Sequence, residues 1–275
     1  MSAADPSFPF SSSLLSGRKA LVSGGGTGLG RAIAEGLARA GAHVVIAARR
    51  EEILKPAAEE LSVATGATVE YDLVDIRNGE YVEALAGRHS DVDILVNNAG
   101  GQFPQKARDY SPNGWRSVID LNLNGTWNMT QVFGDQMLSG DGGTICQITA
   151  PVGRGIPGIA HSASARAAVS ELTRTLAFEW GPKVRLNCVA PGAFRTSGWE
   201  ETYDAEVGSD MSGVPLPYPG RTNDIANAVV FVVSPASAYV TGQVLHVDGG
   251  QGLHGTMSAL PSDGYPEREQ PPFMK

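Results

Sequence analysis

The sequence predicts an α/β fold in which one doubly wound parallel sheet of seven strands, in a single domain, carries helices on both faces. Three observations predict it. Short apolar segments alternate with segments of helical spacing from residue 19 to about residue 248. A glycine-rich turn directly follows the first apolar segment, Ser23-Gly24-Gly25-Gly26-Thr27-Gly28-Leu29-Gly30. The length, 275 residues, suits one large domain better than two small ones.

In chain order, the first strand is placed at Ala20–Ser23, an apolar run stopped by the glycines, and the first helix at Leu29–Ala40. Strand His43–Ala47 is followed by helix Glu51–Thr65, strand Thr68–Asp72 by helix Gly79–Gly87, and strand Asp93–Val96 by a long helix, Pro112–Leu138. Strand Thr144–Ile148, helix Ile159–Trp180, strand Val184–Val189, helix Thr222–Val233 and strand Val244–Val247 complete the alternation. Ligands of a sheet wound this way lie outside the carboxyl ends of its strands.

Three stretches fall outside the rhythm. Residues 1–13, with an acid, prolines and a serine cluster, read as a flexible leader ahead of a domain spanning 14–252. Residues 192–220 hold Gly and Pro with little periodicity and read as a mobile flap, although a plain surface loop has the same composition. The tail, 253–275, is rich in Gly, Pro and charge and is expected either to be disordered or to lie over a neighbouring subunit.

Composition excludes several classes. The net charge is −8, with no run of Lys or Arg, which argues against nucleic acid or an anionic membrane as partner. No stretch approaches the roughly 18 apolar residues of a membrane span. Cys146 and Cys188 sit in apolar runs and read as buried structural thiols. Nothing suggests a metal centre. A cytoplasmic protein acting on a small molecule is the expectation.

The glycine turn carries the first functional signal. Glycines let the backbone turn sharply and approach a pyrophosphate, while the following helix presents free N–H groups and the positive end of its dipole. Gly24, Gly28 and Gly30 fit a Gly-x-x-x-Gly-x-Gly spacing, with Gly26, Thr27 and Leu29 in the same turn. In this the chain resembles the short-chain dehydrogenase/reductase superfamily, built on a Rossmann-type sheet. Further motifs fall at the expected strand ends: Asp75-Ile76, Asn97-Asn98-Ala99-Gly100 and Pro191-Gly192. The resemblance implies that Asp75 and Ile76 contact adenine, that Asn98, Ala99 and Gly100 border its ribose, and that Pro191 and Gly192 lie on the nicotinamide side. Charge speaks to the cofactor. After the second strand an NAD enzyme places an acid on the ribose 2′-hydroxyl; here the strand ends Ala47-Ala48-Arg49-Arg50. Arg49 and Arg50 suit a 2′-phosphate, which favours NADPH. A solvated pair at a helix start is the bland alternative.

The catalytic segment departs from the superfamily. Most members carry Tyr-x-x-x-Lys on the helix after the fifth strand, the tyrosine passing a proton to a carbonyl oxygen. Here the segment reads His161-Ser162-Ala163-Ser164-Ala165-Arg166, with His161 set in the tyrosine's place, Ala165 in the lysine's, and Arg166 as the nearby cation. Thr149-Ala150-Pro151 covers the region of the usual serine. These stretches, together with Gly100-Gly101-Gln102-Phe103, Asn187–Gly192 and Ser234-Pro235-Ala236-Ser237, resemble peroxisomal trans-2-enoyl-CoA reductases and their 2,4-dienoyl-CoA reductase cousins. The resemblance implies hydride addition to the β-carbon of an enoyl thioester. Thr149, His161 and Ser162 are then candidate donors to the thioester oxygen, where charge develops. His161 or water would protonate the α-carbon. Arg166 would hold the nicotinamide ribose, and Asn122, matching the family's helix asparagine, would support a water chain through its carbonyl.

Each of these residues also has an ordinary structural explanation: helix-start packing for His161, caps or turns for Ser162, Ser164 and Thr149, backbone bonding for Asn122, solvent exposure for Arg166. Trp180, Trp199 and Phe194 read as packing residues, with Tyr203 and Tyr218 as reserve proton donors. The chain ends Phe273-Met274-Lys275, without the peroxisomal targeting tripeptide, and its acidity offers no evident basic cradle for CoA phosphates. Two other functions stay open: an atypical carbonyl or imine reductase, and a catalytically silent NADPH-binding protein. The two long helices are where the resemblance implies packing into a homodimer or homotetramer.

Overall fold

A computed structural model describes residues 8–196, 211 and 213–253. The leader before residue 8, the tail after residue 253 and much of the flap, with Trp199 and Tyr203, lie outside the described residues.

The seven strands are β1 (Lys19–Ser23), β2 (His43–Ala48), β3 (Val69–Leu73), β4 (Ile94–Asn97), β5 (Gly143–Ile148), β6 (Val184–Pro191) and β7 (Val244–Val247). They form one sheet in the order β3-β2-β1-β4-β5-β6-β7, and every neighbouring pair is parallel. The reversal of order between β1 and β4 opens a crevice at the strands' carboxyl ends, which is where a doubly wound sheet binds its ligand. The helices are α1 (Gly28–Arg39), α2 (Glu51–Thr65), α3 (Gly79–Arg88), α4 (Pro112–Ile119), α5 (Gly125–Ser139), α6 (Ala160–Trp180) and α7 (Thr222–Val233).

Successive strand residues point to opposite faces, and both faces of the central strands are buried, whereas the edge strands β3 and β7 are partly exposed. On one, Val22, Ile46 and Val96 pack with Ile33 and Leu37 of α1, Leu54 of α2 and Val229 of α7. On the other, Leu21, Val45 and Leu95 pack with Leu85 of α3, Phe133 of α5 and Leu176 of α6. Each such side chain contributes about 1.5–3 kcal/mol by leaving water. Phe8 and Phe10, at the start of the described chain, also pack against the first cluster. Phe194 belongs to that cluster, and Trp180 packs against the second. Cys146 and Cys188 are buried free thiols.

Two local differences from the sequence expectation matter. β3 and β4 each run one residue later than placed, which brings Asn97 to the sheet's carboxyl edge. The long helix expected over Pro112–Leu138 is broken by a π-helical turn at Asp120–Asn124, between α4 and α5. An inserted residue of this kind re-aims side chains and often marks a functional site. Here it turns Asn122 inward, fully buried. Gly125 lets the turn lie against the loop after β3: a Cβ there would fall 2.7 Å from Ile76 Cγ1.

Candidate active site

The dinucleotide cleft begins where β1 ends. Gly24 and Gly28 have φ of +68° and +53°, left-handed conformations that glycine adopts without strain. Thr27 caps α1 without a side-chain hydrogen bond, so the first N–H groups of the helix are left for an anion. Gly30 is required for a different reason: a Cβ would lie 2.2 Å from Gly24 O and 2.4 Å from Asn98 Nδ2. That crowding is the contact that holds the turn. Asn98 Nδ2 donates to Ser23 O at 3.0 Å and Gly24 O at 3.2 Å. Ser23 Oγ accepts from the Asn98 and Ala99 amides, both at 3.1 Å.

The cleft holds about 350 Å3. Gly24, Gly26, Thr27, Gly28, Leu29, Gly30, Arg49, Arg50, Asp75, Ile76, Asn98, Ala99 and Gly100 all line it. Arg49 and Arg50 are exposed at its rim, and Ala48 stands where an acid would repel a 2′-phosphate. Asp75 is gripped by Arg77, Nε to Oδ1 at 2.9 Å, and that bond outweighs burial in holding its carboxyl below the usual range. A glycine cradle at a helix N-terminus beside a cationic rim fits a nicotinamide dinucleotide.

Pro191 and Gly192 do not line this cleft. Pro191 closes β6, and the Gly192 amide donates to Val247 O at 3.0 Å, with Asp248 packed so closely that a Cβ on Gly192 would meet its Cα at 2.6 Å. Four residues further on, Thr196 does line the cleft, opposite Gly28. Sequence reading missed Thr196 because only the chain's return over the glycine turn brings it there. Tyr218 lies elsewhere, on a cavity of about 440 Å3 with Phe194, Met211 and Leu216.

Asn122 joins the rest of the site. Its Oδ1 accepts the Gly101 amide at 2.9 Å; its Nδ2 donates to Gly101 O at 2.9 Å and to Ser162 Oγ at 3.2 Å. Its main-chain carbonyl accepts the Thr126 hydroxyl at 2.9 Å. Both Asn122 carbonyl oxygens thus have one protein partner, and each keeps a second lone pair. Thr149 is buried at the end of β5, with its hydroxyl only loosely held by Val189 O at 3.5 Å.

On α6 the expected register is off by one residue. Ala165 is fully buried in the packing, whereas Arg166 reaches back to donate to Ile148 O at 2.7 Å. Its other terminal nitrogen lies 2.0 Å from where a Gly100 Cβ would stand. Ser162 and Arg166, four residues apart, therefore form the pair turned toward Asn122 and Gly100, which is the helical spacing of one face. Burial pushes the Arg166 guanidinium down to about 10, still cationic at neutral pH.

His161 occupies a different position from the one its sequence neighbours suggest. It is wholly buried between Phe103 and Tyr110, with ring centroids at 4.6 and 4.5 Å. Nδ1 accepts the Ser162 amide at 2.7 Å, and buried Nε2 has no partner. Burial pushes the imidazole below its ordinary range, with the Ile159 carbonyl partly opposing. A neutral, enclosed ring is ill-placed to hand protons to a substrate in the cleft, so the general-acid expectation for His161 is withdrawn.

The fold and cleft together define a dinucleotide-binding oxidoreductase. The chain belongs to the short-chain dehydrogenase/reductase superfamily: residues 24–252 match the family described as enoyl-(acyl carrier protein) reductase. It is similar to the peroxisomal 2,4-dienoyl-CoA reductase of Danio rerio, 40% identical over 89% of this chain and 84% of the relative. It is also similar to the 3-oxoacyl-(acyl carrier protein) reductase of Chlamydia muridarum, 38% identical over 86% and 98%. Among solved structures, a gluconate 5-dehydrogenase from Burkholderia cenocepacia, in complex with NADP and tartrate, superposes with a TM-score of 0.82 at 32% identity, covering 87% of this chain and 97% of that one. Among the described residues no helix is long and apolar enough to cross a membrane.

Proposed function

We propose that this protein is an NADPH-dependent reductase that saturates the double bond of an enoyl thioester, with an acyl-CoA the favoured substrate. The observation that carries the reading is the pair on α6: Ser162 and Arg166 occupy the face turned to Gly100, with no phenol–ammonium pair. Reduction of a ketone demands a proton on the developing alkoxide, and so a strong local acid. Reduction of an enoyl thioester places charge on an enolate oxygen, which needs donors fixed in advance.

Ser162 is suited to that task. Its oxygen accepts from Asn122, which leaves its own hydrogen free to point at a substrate. Thr149, loosely held, supplies a second hydroxyl, and Arg166 adds a fixed positive field beside the ribose position. A bound NADPH would supply the hydride. With His161 enclosed, water is the proton source assigned to the α-carbon. Kinship with a peroxisomal dienoyl-CoA reductase supports the thioester substrate. Exposed Phe178 on α6 supports association into a dimer or tetramer.

The similarity to a 3-oxoacyl reductase favours a second reading, carbonyl reduction. The deciding experiment follows nicotinamide absorbance with NADPH or NADH against crotonyl-CoA, a longer trans-2-enoyl-CoA, a 2,4-dienoyl-CoA and a ketone panel. Turnover of the thioesters alone is expected. Turnover of ketones alone overturns the proposal, and NADPH binding with no turnover of any substrate leaves a dinucleotide-binding protein.

A further inference from the structure

His161 is a buried polar side chain that the proposed chemistry does not use, and its surroundings say what it does. The segment between β4 and α4, residues 98–111, crosses above the first turn of α6. Three sets of contacts fasten it there. Asn122 holds Gly101 by both its amide and its carbonyl. The Gly158 carbonyl accepts the Gln105 amide at 2.7 Å and the Tyr110 hydroxyl at 3.0 Å. The His161 ring fills the space between Phe103, edge-on at 81°, and Tyr110, tilted at 38°. Phe103 and Tyr110 also meet each other, at 5.9 Å, so the three rings form one closed cluster.

The polar edge of the same ring acts on the helix. Ile159, at the N-cap of α6, has no side chain that can accept a hydrogen bond, which leaves first-turn amides open. His161 Nδ1 takes one of them, the amide of Ser162. A single imidazole thus touches both the segment over the site and the backbone of the residue assigned to the substrate oxygen.

We propose that His161 is a positioning residue: caged by Phe103 and Tyr110 and bonded to the Ser162 amide, it locks residues 101–110 onto the first turn of α6 and fixes Ser162 against Asn122. Neither phenylalanine nor glutamine reproduces both functions, since one fills the cage and the other offers an acceptor. The kinetic part of this inference rests on the enoyl-thioester reading; the structural part does not.

The test is amide hydrogen exchange at Gly101, Gln105 and Ser162 in His161→Ala, His161→Phe and His161→Gln, alongside kcat and KM for a trans-2-enoyl-CoA across pH. In His161→Ala all three amides are expected to exchange faster. KM should rise roughly tenfold to a hundredfold, the scale of a small misplacement of groups around a substrate. His161→Phe should restore protection at Gln105 but not at Ser162, and His161→Gln the reverse. Wild-type turnover should show no acid limb that vanishes with His161. Such a limb, or unchanged exchange at all three amides in His161→Ala, overturns the proposal. If His161→Ala does not fold, Phe103→Leu and Tyr110→Phe are read by the same exchange, with protection unchanged at Gln105 again a refutation. A wild type that reduces no enoyl thioester sinks the functional reading alone, and exchange then decides.

Discussion

Replacing Arg49 and Arg50 together by alanine tests the cofactor assignment most directly. Both side chains are exposed at the cleft rim, and neither guanidinium is hydrogen-bonded to another described residue. Their charge is therefore available to a 2′-phosphate without first breaking an ion pair. A charge-assisted hydrogen bond is worth about 1.5–3 kcal/mol when shielded from water, and exposure at the rim reduces this to about 1 kcal/mol each. The double variant should lose about 2 kcal/mol, or roughly thirtyfold, in NADPH affinity. NADH lacks the phosphate and should bind about as before. Titration of both cofactors by calorimetry or fluorescence, at low and high salt, gives the ratio. Because rim charges are screened within about 10 Å at 0.1 M salt, the preference of the wild type should also narrow as salt rises. An unchanged NADPH-to-NADH ratio in the double variant, or a wild type that prefers NADH, would refute the reasoning.

Three further outcomes are expected. Gly30→Ala forces a methyl against backbone at 2.2 Å, and overpacking of this kind costs about 1–3 kcal/mol; thermal unfolding should shift down by several degrees and NADPH binding weaken, whereas a normal Tm with normal affinity would show that the turn can relax. Ser162→Ala removes one acceptor of Asn122 but leaves both bonds to Gly101, so stability should change by about 1 kcal/mol or less while kcat falls roughly a hundredfold or more, and an unaltered kcat would remove Ser162 from the oxyanion site. Burial lowers the pKa of Arg166 to about 10, below that of an arginine in water. Above about pH 10 the folded chain therefore gives up this proton before the unfolded chain does, so this group's contribution to stability rises with pH there. Over the same range its cation is lost, and NADPH affinity should fall above about pH 10 in the wild type but not in Arg166→Met; an identical pH profile in the two would separate Arg166 from the cofactor.

What the chain reveals locally is what local interactions decide. Alternation of apolar runs and helical spacing places every strand of the sheet within a residue or two, because the central strands, buried on both faces, are apolar nearly throughout. The glycine-lined cleft was legible in the same way: Gly24, Gly28 and Gly30 lie within a few residues of one another, and Arg49 and Arg50 sit at the end of one strand.

The reaction side of the site was decided by tertiary structure. Which residues of α6 face the cleft depends on the helix's rotation against the sheet, and an error of one residue exchanges Ser162 and Arg166 for His161 and Ala165. The π-helical turn that buries Asn122 follows from its bonds to Gly101 and from the fit of Gly125 against Ile76, partners far away in the sequence. Thr196 reaches the glycine turn, and Phe103 and Tyr110 reach His161, only when separate segments converge at the carboxyl ends of the strands. Patterns among near neighbours along the chain placed the strands and the glycine turn; the orientation of α6 and the enclosure of His161 arise from packing between elements, which no local pattern encodes.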